Sequence, residues 1–182
     1  MCEFTFNQLG TYNGWWSQGY RHGHGTYRVA GSLYEGEWKA GRQEGHGTMA
    51  YSNGALYVGE WHKGLRHGHG KYTDANGTVY DGDWQLNRKH GRGQLLYTNG
   101  SVFMGEFEAD EMTGLGSLKL HSGLEYTGSF RHSKFEGTGN LRMVNGKIYQ
   151  GDWREGLREG QGKLIYPDGS FYDGAWKQNK VS

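Results

Sequence analysis

A short aromatic motif, Tyr-x-Gly-x-Trp, returns along almost the whole chain, and its period constrains the fold more than any other feature of the sequence. The motif begins at Tyr12, Tyr34, Tyr57, Tyr80, Phe103, Tyr126, Tyr149 and Tyr172. The first interval is 22 residues long, and the next six are 23 residues each. A fixed period of this length indicates a repeat protein, in which each unit packs on its neighbours.

Each unit is predicted to form a β-hairpin. Alternate residues of a strand share a face, so in YEGEW the residues Tyr34, Gly36 and Trp38 lie on one face. Glu35 and Glu37 then lie on the other face. Three residues beyond the last aromatic residue of each motif stands Gly, Asn, Asp or Ser, which are residues typical of tight turns.

The second half of each unit begins with Gly-x-Gly, as at Gly45 and Gly47. Alternating apolar residues after this element predict the second strand, and a second turn closes the unit, as at 52–54. The single short interval is explained by a deletion in this second turn near Gly31, because turns tolerate changes in length and strands do not. The sequence has no helical period.

The composition excludes several classes of protein. Pro occurs once among 182 residues, which excludes collagen, and 15% of the residues are aromatic, which argues against disorder. Branched aliphatic residues are scarce, so the aromatic residues must form the core. The formal charge of +1 argues against a nucleic-acid partner. A lone Cys2 and the lack of a long apolar run indicate a soluble, cytoplasmic protein that is not secreted.

Units of the form YxGxWxxGxxxGxGxxxxxxG resemble MORN repeats (membrane occupation and recognition nexus). The resemblance covers Tyr12 to Asn179. It divides the chain into a leading half-unit at 3–11, full repeats at 12–33, 34–56, 57–79, 80–102, 103–125, 126–148 and 149–171, and a partial terminal repeat at 172–182. It implies an all-β fold, a single-layer antiparallel sheet of consecutive hairpins that is elongated and grooved.

The resemblance also implies a role in binding and scaffolding, with catalysis in other family members carried by a separate domain. We therefore expect a non-catalytic scaffold, with no enzyme activity, cofactor or metal. Histidines recur at fixed repeat positions, which in adjacent units lie ~10 Å apart, too far to surround one zinc ion. The recurring acidic residues are expected to form a solvated stripe on the face opposite the aromatic residues, without the contrasting environments that acid–base catalysis needs.

Because a one-layer sheet has no opposing layer, much of its aromatic row is expected to stay accessible as a groove for a helix or an extended peptide of a protein partner. The groove residues are Tyr57, Trp61, Tyr80, Trp84, Phe103, Phe107, Tyr126, Phe130, Tyr149 and Trp153. The alternative is a peripheral membrane module that binds anionic phospholipids, such as phosphoinositides, through a basic edge. That edge comprises Arg21, Arg42, Lys63, Arg66, Arg88, Lys89 and Arg158. A third hypothesis is that the chain is the targeting region of a longer enzyme.

Two further surfaces depart from the repeat. Met104, Met112, Leu115 and Phe135 place apolar side chains where other units are polar or charged, and this predicts either a partner contact or local packing against Phe107 and Phe130. The final motif, with Tyr172 and Trp176, is expected to leave an unpaired strand edge, through which two copies form a homodimer. Association with the cytoskeleton or with membranes follows from the same family resemblance.

Overall fold

The computed structural model describes residues 2–6 and 10–182, and of residues 2–6 it describes the backbone alone. These residues form antiparallel strands joined by short turns, and they contain no helix, so none that could span a membrane. The predicted all-β fold of consecutive hairpins is confirmed. Part of the predicted leading half-unit, at 7–9, lies outside the described residues.

The chain divides into two compact units, Met1–Lys89 (unit 1) and His90–Ser182 (unit 2). Within each unit, successive strands pair with one another in chain order. Unit 1 contains β1 (Cys2–Phe6), β2 (Gly10–Ser17), β3 (Tyr20–Val29), β4 (Ser32–Lys39), β5 (Arg42–Ala50), β6 (Leu56–His62), β7 (Leu65–Thr73) and β8 (Val79–Gln85). Unit 2 contains β9 (Arg88–Leu96, which begins at the end of unit 1), β10 (Val102–Glu108), β11 (Glu111–Lys119), β12 (Glu125–Arg131), β13 (Lys134–Arg142), β14 (Ile148–Arg154), β15 (Leu157–Ile165), β16 (Phe171–Lys177) and β17 (Lys180–Val181).

The first turn of each hairpin has two central residues with positive φ, as at Lys63 (52°) and Gly64 (84°). This is the signature of the type I′ turn, whose twist matches that of the strands it joins. The second turn is longer, as at 51–55, except after β3. There Ala30 and Gly31 form another turn with two positive φ values, 46° and 79°, and the missing residue of the short interval is thus located in the turn, as predicted.

The Gly-x-Gly element is part of a strand, which corrects the prediction that the second strand follows it. β5 begins directly after the turn and includes Gly45 and Gly47. A β-bulge occurs here, because the register between β4 and β5 shifts between Gly36 and Trp38, and Gly45 has a φ of 67°. The Glu37 carboxylate accepts the backbone N–H of His46 within this bulge at 2.9 Å.

One glycine of every strand from β3 to β8 lies in a continuous row across the sheet of unit 1. The members pair in sequence and are Gly25, Gly36, Gly47, Gly59, Gly70 and Gly82. The ring of Tyr34 lies on this row, since a Cβ atom built on Gly47 would lie 2.3 Å from the Tyr34 Oη. Glycine is therefore required here because the aromatic ring occupies the space that a side chain would take.

The core of each unit is a zigzag of aromatic rings, in which the second aromatic residue of each repeat also packs on the first aromatic residue of the repeat before it. The Tyr34 ring meets the edges of Trp38 and Trp61 at 5.1 and 5.3 Å, in T-shaped geometry. The Tyr34 hydroxyl donates to the carbonyl of Glu37 at 3.0 Å, and the Trp61 Nε1–H donates to the carbonyl of Gly47 at 3.2 Å. The Tyr34 ring thus lies as close to the tryptophan of the next repeat as to the tryptophan of its own strand.

Phe103 provides a test of this arrangement, because it occupies a tyrosine position of the zigzag without a hydroxyl. It is 0% exposed, and the equivalent Tyr126 donates to the carbonyl of Ser129 at 3.0 Å. We expect Phe103→Tyr to gain the same bond to the Glu106 carbonyl and to raise the free energy of unfolding by about 1 kcal/mol. The melting temperature should rise by about 3 °C, measured by circular dichroism.

The reciprocal variant, Tyr126→Phe, removes the same bond and should lower the melting temperature by a similar amount. A decrease in stability of Phe103→Tyr would mean that the site is too tightly packed for a hydroxyl.

Candidate interaction surfaces

The ten aromatic residues predicted to line an accessible groove are buried. Their exposed fractions lie between 0 and 5% for Tyr57, Trp61, Tyr80, Trp84, Phe103, Phe107, Tyr126, Phe130, Tyr149 and Trp153. The expectation of an accessible row is wrong, because the rings of adjacent repeats cover one another across the sheet. These residues form the core, and a partner cannot reach the faces of their rings.

Burial also changes the acidity of the tyrosines in this core. It raises the pKa of Tyr126 to about 12, with a smaller contribution from the nearby Glu136 carboxylate. It raises the pKa of Tyr149 to about 12 as well, assisted by Asp152 and opposed by Arg158. The pKa values of Tyr34 and Tyr57 are shifted upward for the same principal reason. The hydroxyls of this core are thus held in their neutral, hydrogen-bonding form.

Four of the seven residues of the predicted basic edge, three arginines and one lysine, lie over the aromatic core. The Arg66 guanidinium carbon lies 4.2 Å from the ring centroid of Trp84, and Nη2 donates to the carbonyl of Asn87 at 2.9 Å. Arg21 lies in the same way over Trp38, at 4.2 Å, in the next repeat. Each guanidinium thus stacks on the following repeat, in a cation–π contact.

Arg158 repeats this geometry in unit 2, at 4.4 Å from the Trp176 centroid. Lys89 lies 5.8 Å from the Tyr80 centroid. The remaining cations of the edge, Arg42, Lys63 and Arg88, lie at exposed ends of hairpins. The basic edge is therefore divided between residues that stabilise the fold and residues that face solvent.

We expect Arg66→Ala to lower the free energy of unfolding by about 2 kcal/mol, because it removes both the stacking on Trp84 and the hydrogen bond to the turn. Arg66→Lys should recover less than half of this loss, since an ammonium group cannot stack as a planar fork. Urea denaturation measures both values. Arg42→Ala, at an exposed turn, is the control and should change stability by less than about 0.5 kcal/mol. Equal effects of the two alanine variants would contradict the structural role of Arg66.

Phe135 occupies the repeat position held by Arg66 in unit 1, and it packs inside unit 2. Its ring stacks on Tyr126 at 3.7 Å and meets the edges of Phe130 at 5.5 Å and Trp153 at 5.2 Å. Met112 is half-buried and pairs with Phe107 across the hairpin. The sequence left open either a partner contact or local packing, and the structure shows local packing for Phe135.

Met104 and Leu115 lie on the opposite face, with exposed fractions of 56% and 68%. The four residues expected to form one local contact are therefore split between two faces of the sheet. The bulges explain the split, because they place Met112 and Phe135 on the aromatic side of the hairpins.

We call the face of each sheet opposite the aromatic residues the outer face. On the outer face of unit 1, histidines and carboxylates alternate from strand to strand across one row of the sheet. The members of this histidine–carboxylate row are His24, Glu37, His46, Glu60, His69 and Asp83. His69 contacts the carboxylates of Asp81 at 3.2 Å and Asp83 at 3.4 Å.

Sequence reasoning treated these histidines and carboxylates as separate stripes. The signal was present, since the histidine stands inside Gly-x-Gly and the carboxylate inside the aromatic motif of the next strand. The carboxylates are also more than a solvated stripe, because Glu37 and Glu60 accept N–H groups of the bulges. Among the described residues, no group of three or more His, Cys, Asp or Glu is arranged to hold a metal ion.

Trp15 lies at one end of this outer face and was not singled out by the sequence. It occupies the position of the motif that holds Glu37 and Glu60 in later repeats, so its indole points outward and is 61% exposed. A shallow groove of about 230 Å³ is formed by Asn13, Gly14, Trp15, His24, Gly25, Thr26 and Glu35. The groove thus combines an aromatic surface with the Glu35 carboxylate.

The strand edge predicted to support a homodimer is partly paired. β17 pairs with β16 through Trp176 and Lys177, and the N–H of Ser182 donates to the carbonyl of Ala175 at 3.0 Å. Trp176 is 4% exposed and packs against Tyr149 and Tyr172 at 5.3 and 5.5 Å. Trp176 is therefore packed inside the fold, and its partner Tyr149 belongs to the preceding repeat.

Comparisons with known proteins agree with the repeat pattern. The family described as MORN repeat matches residues 12–30, 34–56, 57–79, 80–102, 103–125, 126–148 and 149–171. No curated protein matches the sequence.

The solved structures that match this chain include two TCP-type domains. The TCP domain of Drosophila melanogaster SAS-4 (dCPAP), in complex with a proline-rich motif of Ana2 (dSTIL), has 14% identity and a TM-score of 0.50, and the match covers 85% of this chain and 84% of that domain. The TCP10 domain of Danio rerio CPAP, in complex with a peptide of STIL, has 12% identity and a TM-score of 0.40, with 96% and 99% covered. At 14% identity the first similarity concerns the fold alone, and the lower TM-score of the second adds nothing to it.

Proposed function

Because the chain belongs to the MORN-repeat family, we propose that it is a non-catalytic protein-interaction module that binds an extended segment of a partner protein. The proposal rests on one observation above all, the unequal use of the two faces of the hairpins. The aromatic face is buried by packing between repeats, whereas the outer face presents exposed side chains such as Glu35, His46 and His69. A surface of this kind suits recognition of an extended peptide, which needs many shallow contacts rather than a deep pocket.

The TCP domain described above also supports binding of an extended peptide. It is similar in fold, and its solved form holds a proline-rich motif of another protein. An open sheet of hairpins can therefore serve as a platform for a peptide. The proposal differs from our sequence expectation in the surface it uses, since the aromatic row is buried.

The experiment is selection of peptides from a displayed library against the full chain, followed by titration calorimetry of the enriched sequences. We expect saturable binding of one peptide per chain with micromolar affinity, within the range of weak, transient recognition. Scrambled versions of the enriched peptides are the control. If no peptide binds better than its scrambled version, the proposed function is wrong.

The phospholipid alternative has less support. Arg21, Arg66 and Arg158 are held over aromatic rings by contacts within the fold, which leaves fewer cations for lipid headgroups. Flotation with vesicles containing phosphoinositides tests it, because attachment through exposed charges is lost at high salt. Attachment at low salt that disappears at high salt would favour this alternative.

Self-association through β16 is also less favoured, since β17 already pairs with part of that edge. Light scattering distinguishes a monomer from a dimer, and a measured mass of 20.5 kDa, that of a single chain, at micromolar concentration would exclude the dimer.

A further inference from the structure

The outer face of unit 1 is more acidic than the equivalent face of unit 2. In its two rows nearest the bulges, one lysine accompanies five carboxylates, which belong to Glu35, Glu37, Glu60, Asp81 and Asp83. The equivalent rows of unit 2 hold three carboxylates, of Glu106, Asp152 and Asp173, together with the cations Arg92 and Lys163. Of these two pairs of rows, as far as the structure describes them, those of unit 1 therefore carry the larger negative charge to offer a partner.

The carboxylates of the histidine–carboxylate row recur on every second strand. Glu37 lies on β4, Glu60 on β6 and Asp83 on β8. With strands ~4.8 Å apart, successive carboxylates are spaced by roughly 9.6 Å. A polyproline II helix rises ~3.1 Å per residue, so every third residue recurs after roughly 9.3 Å on one side. The two periods agree closely enough for three successive contacts.

From this match we infer that the outer face of unit 1 binds a cationic polyproline II segment of a partner protein, with Lys or Arg at every third position. The segment runs across the strands along the histidine–carboxylate row. Each cation meets a carboxylate, the side chains of His46 and His69 lie between these contacts, and His24 lies beyond the first of them. The inference rests on the proposed interaction function and adds to it a surface and the chemistry of the partner.

Trp15 supplies the aromatic contact at one end of this path. Its exposed indole lies in the groove that also contains Glu35 and His24. A proline ring or a cationic side chain of the segment can stack on the indole face, while Glu35 neutralises the cation. An arginine seated there contacts both an aromatic ring and a carboxylate.

Three histidines lie along the same path. His24 is paired with Glu37 on β4, His46 lies between Glu37 on β4 and Glu60 on β6, and His69 lies between Glu60 and the two aspartates of β8.

The test uses the full chain and a fluorescein-labelled peptide of repeated Arg-Pro-Pro, with fluorescence anisotropy at about 0.15 M salt, where remote charges are screened. We expect Glu35→Lys with Asp81→Lys to weaken binding by about tenfold or more. The control is Thr127→Lys with Gln150→Lys, which places two lysines at the same repeat positions of unit 2, with half the change in net charge, and should change affinity less than about twofold. Trp15→Ala should weaken binding by about threefold, with an unchanged melting temperature.

A peptide of the same composition with its arginines adjacent tests the spacing and should bind at least about threefold more weakly. Equal binding by the two double variants, or no binding of the Arg-Pro-Pro peptide, would overturn the inference. If library-selected peptides still bind in that case, the proposed function stands without this surface, and if they do not, both fail.

Discussion

Gly47→Ala is expected to lower the free energy of unfolding by about 3 kcal/mol, although it adds a single methyl group. The new Cβ would lie 2.3 Å from Oη and 2.5 Å from Cζ of Tyr34. Tyr34 cannot move aside, because its ring is fully buried between the edges of Trp38 and Trp61. Any displacement would also break the hydrogen bond from its hydroxyl to the Glu37 carbonyl.

Gly54→Ala is the matched control for this prediction. Gly54 has a φ of 90°, so alanine is strained there, but no atom lies within 4 Å of its added Cβ. Gly54→Ala should lower the free energy of unfolding by about 1 kcal/mol, and this loss should come from backbone strain alone. Urea denaturation compares the two, and hydrogen exchange should show the loss of protection by Gly47→Ala in β4, β5 and β6. If Gly47→Ala lowers the free energy of unfolding by no more than Gly54→Ala does, the aromatic zigzag can adapt to the added methyl group.

The sequence predicts the hairpins and their faces because the relevant forces are local. Positive φ at the first turn follows from residues such as Gly64, and alternation places Tyr34, Gly36 and Trp38 on one face. Both predictions are confirmed. The burial of that face could not be predicted, since it depends on the contact between Trp61 and the tyrosine of the preceding repeat. Such contacts are set by sheet twist and by bulges, which the sequence pattern does not specify.

The contacts of the arginines could likewise not be predicted from the sequence pattern. Arg66 reads in the sequence as a solvated cation after a turn, but the bulge directs it toward the aromatic side, where it stacks on Trp84. A signal was available, since Phe135 stands at the same repeat position, and an apolar residue there indicates a site that packs. The outer row was also predictable in part, because a histidine in Gly-x-Gly faces the motif carboxylate of the next strand, as His46 faces Glu60.

The stability of the fold is expected to collapse between about pH 10 and about pH 12, through the tyrosines of the core. Burial raises the pKa of Tyr126 and Tyr149 to about 12, whereas an unfolded tyrosine titrates near about 10. The unfolded chain therefore releases protons that the folded chain retains, and unfolding becomes more favourable as the pH rises. Stability from these residues is fully present below about pH 10, and by pH ~12 each should have lost roughly 2 kcal/mol.

Urea denaturation at increasing pH measures this loss, and the absorbance of tyrosinate should appear together with unfolding, since the hydroxyls ionise when they reach water. The decisive variant is Tyr126→Phe with Tyr149→Phe. It lacks two hydrogen bonds, to the carbonyls of Ser129 and Asp152, so it should be less stable than the parent at neutral pH by about 1 kcal/mol for each bond. It also lacks two groups that titrate on unfolding, so its stability should fall less steeply above pH ~10, and the difference between the two proteins should shrink and then reverse. If both proteins lose stability with the same slope, the core tyrosines do not control alkaline unfolding, and another group must release the protons.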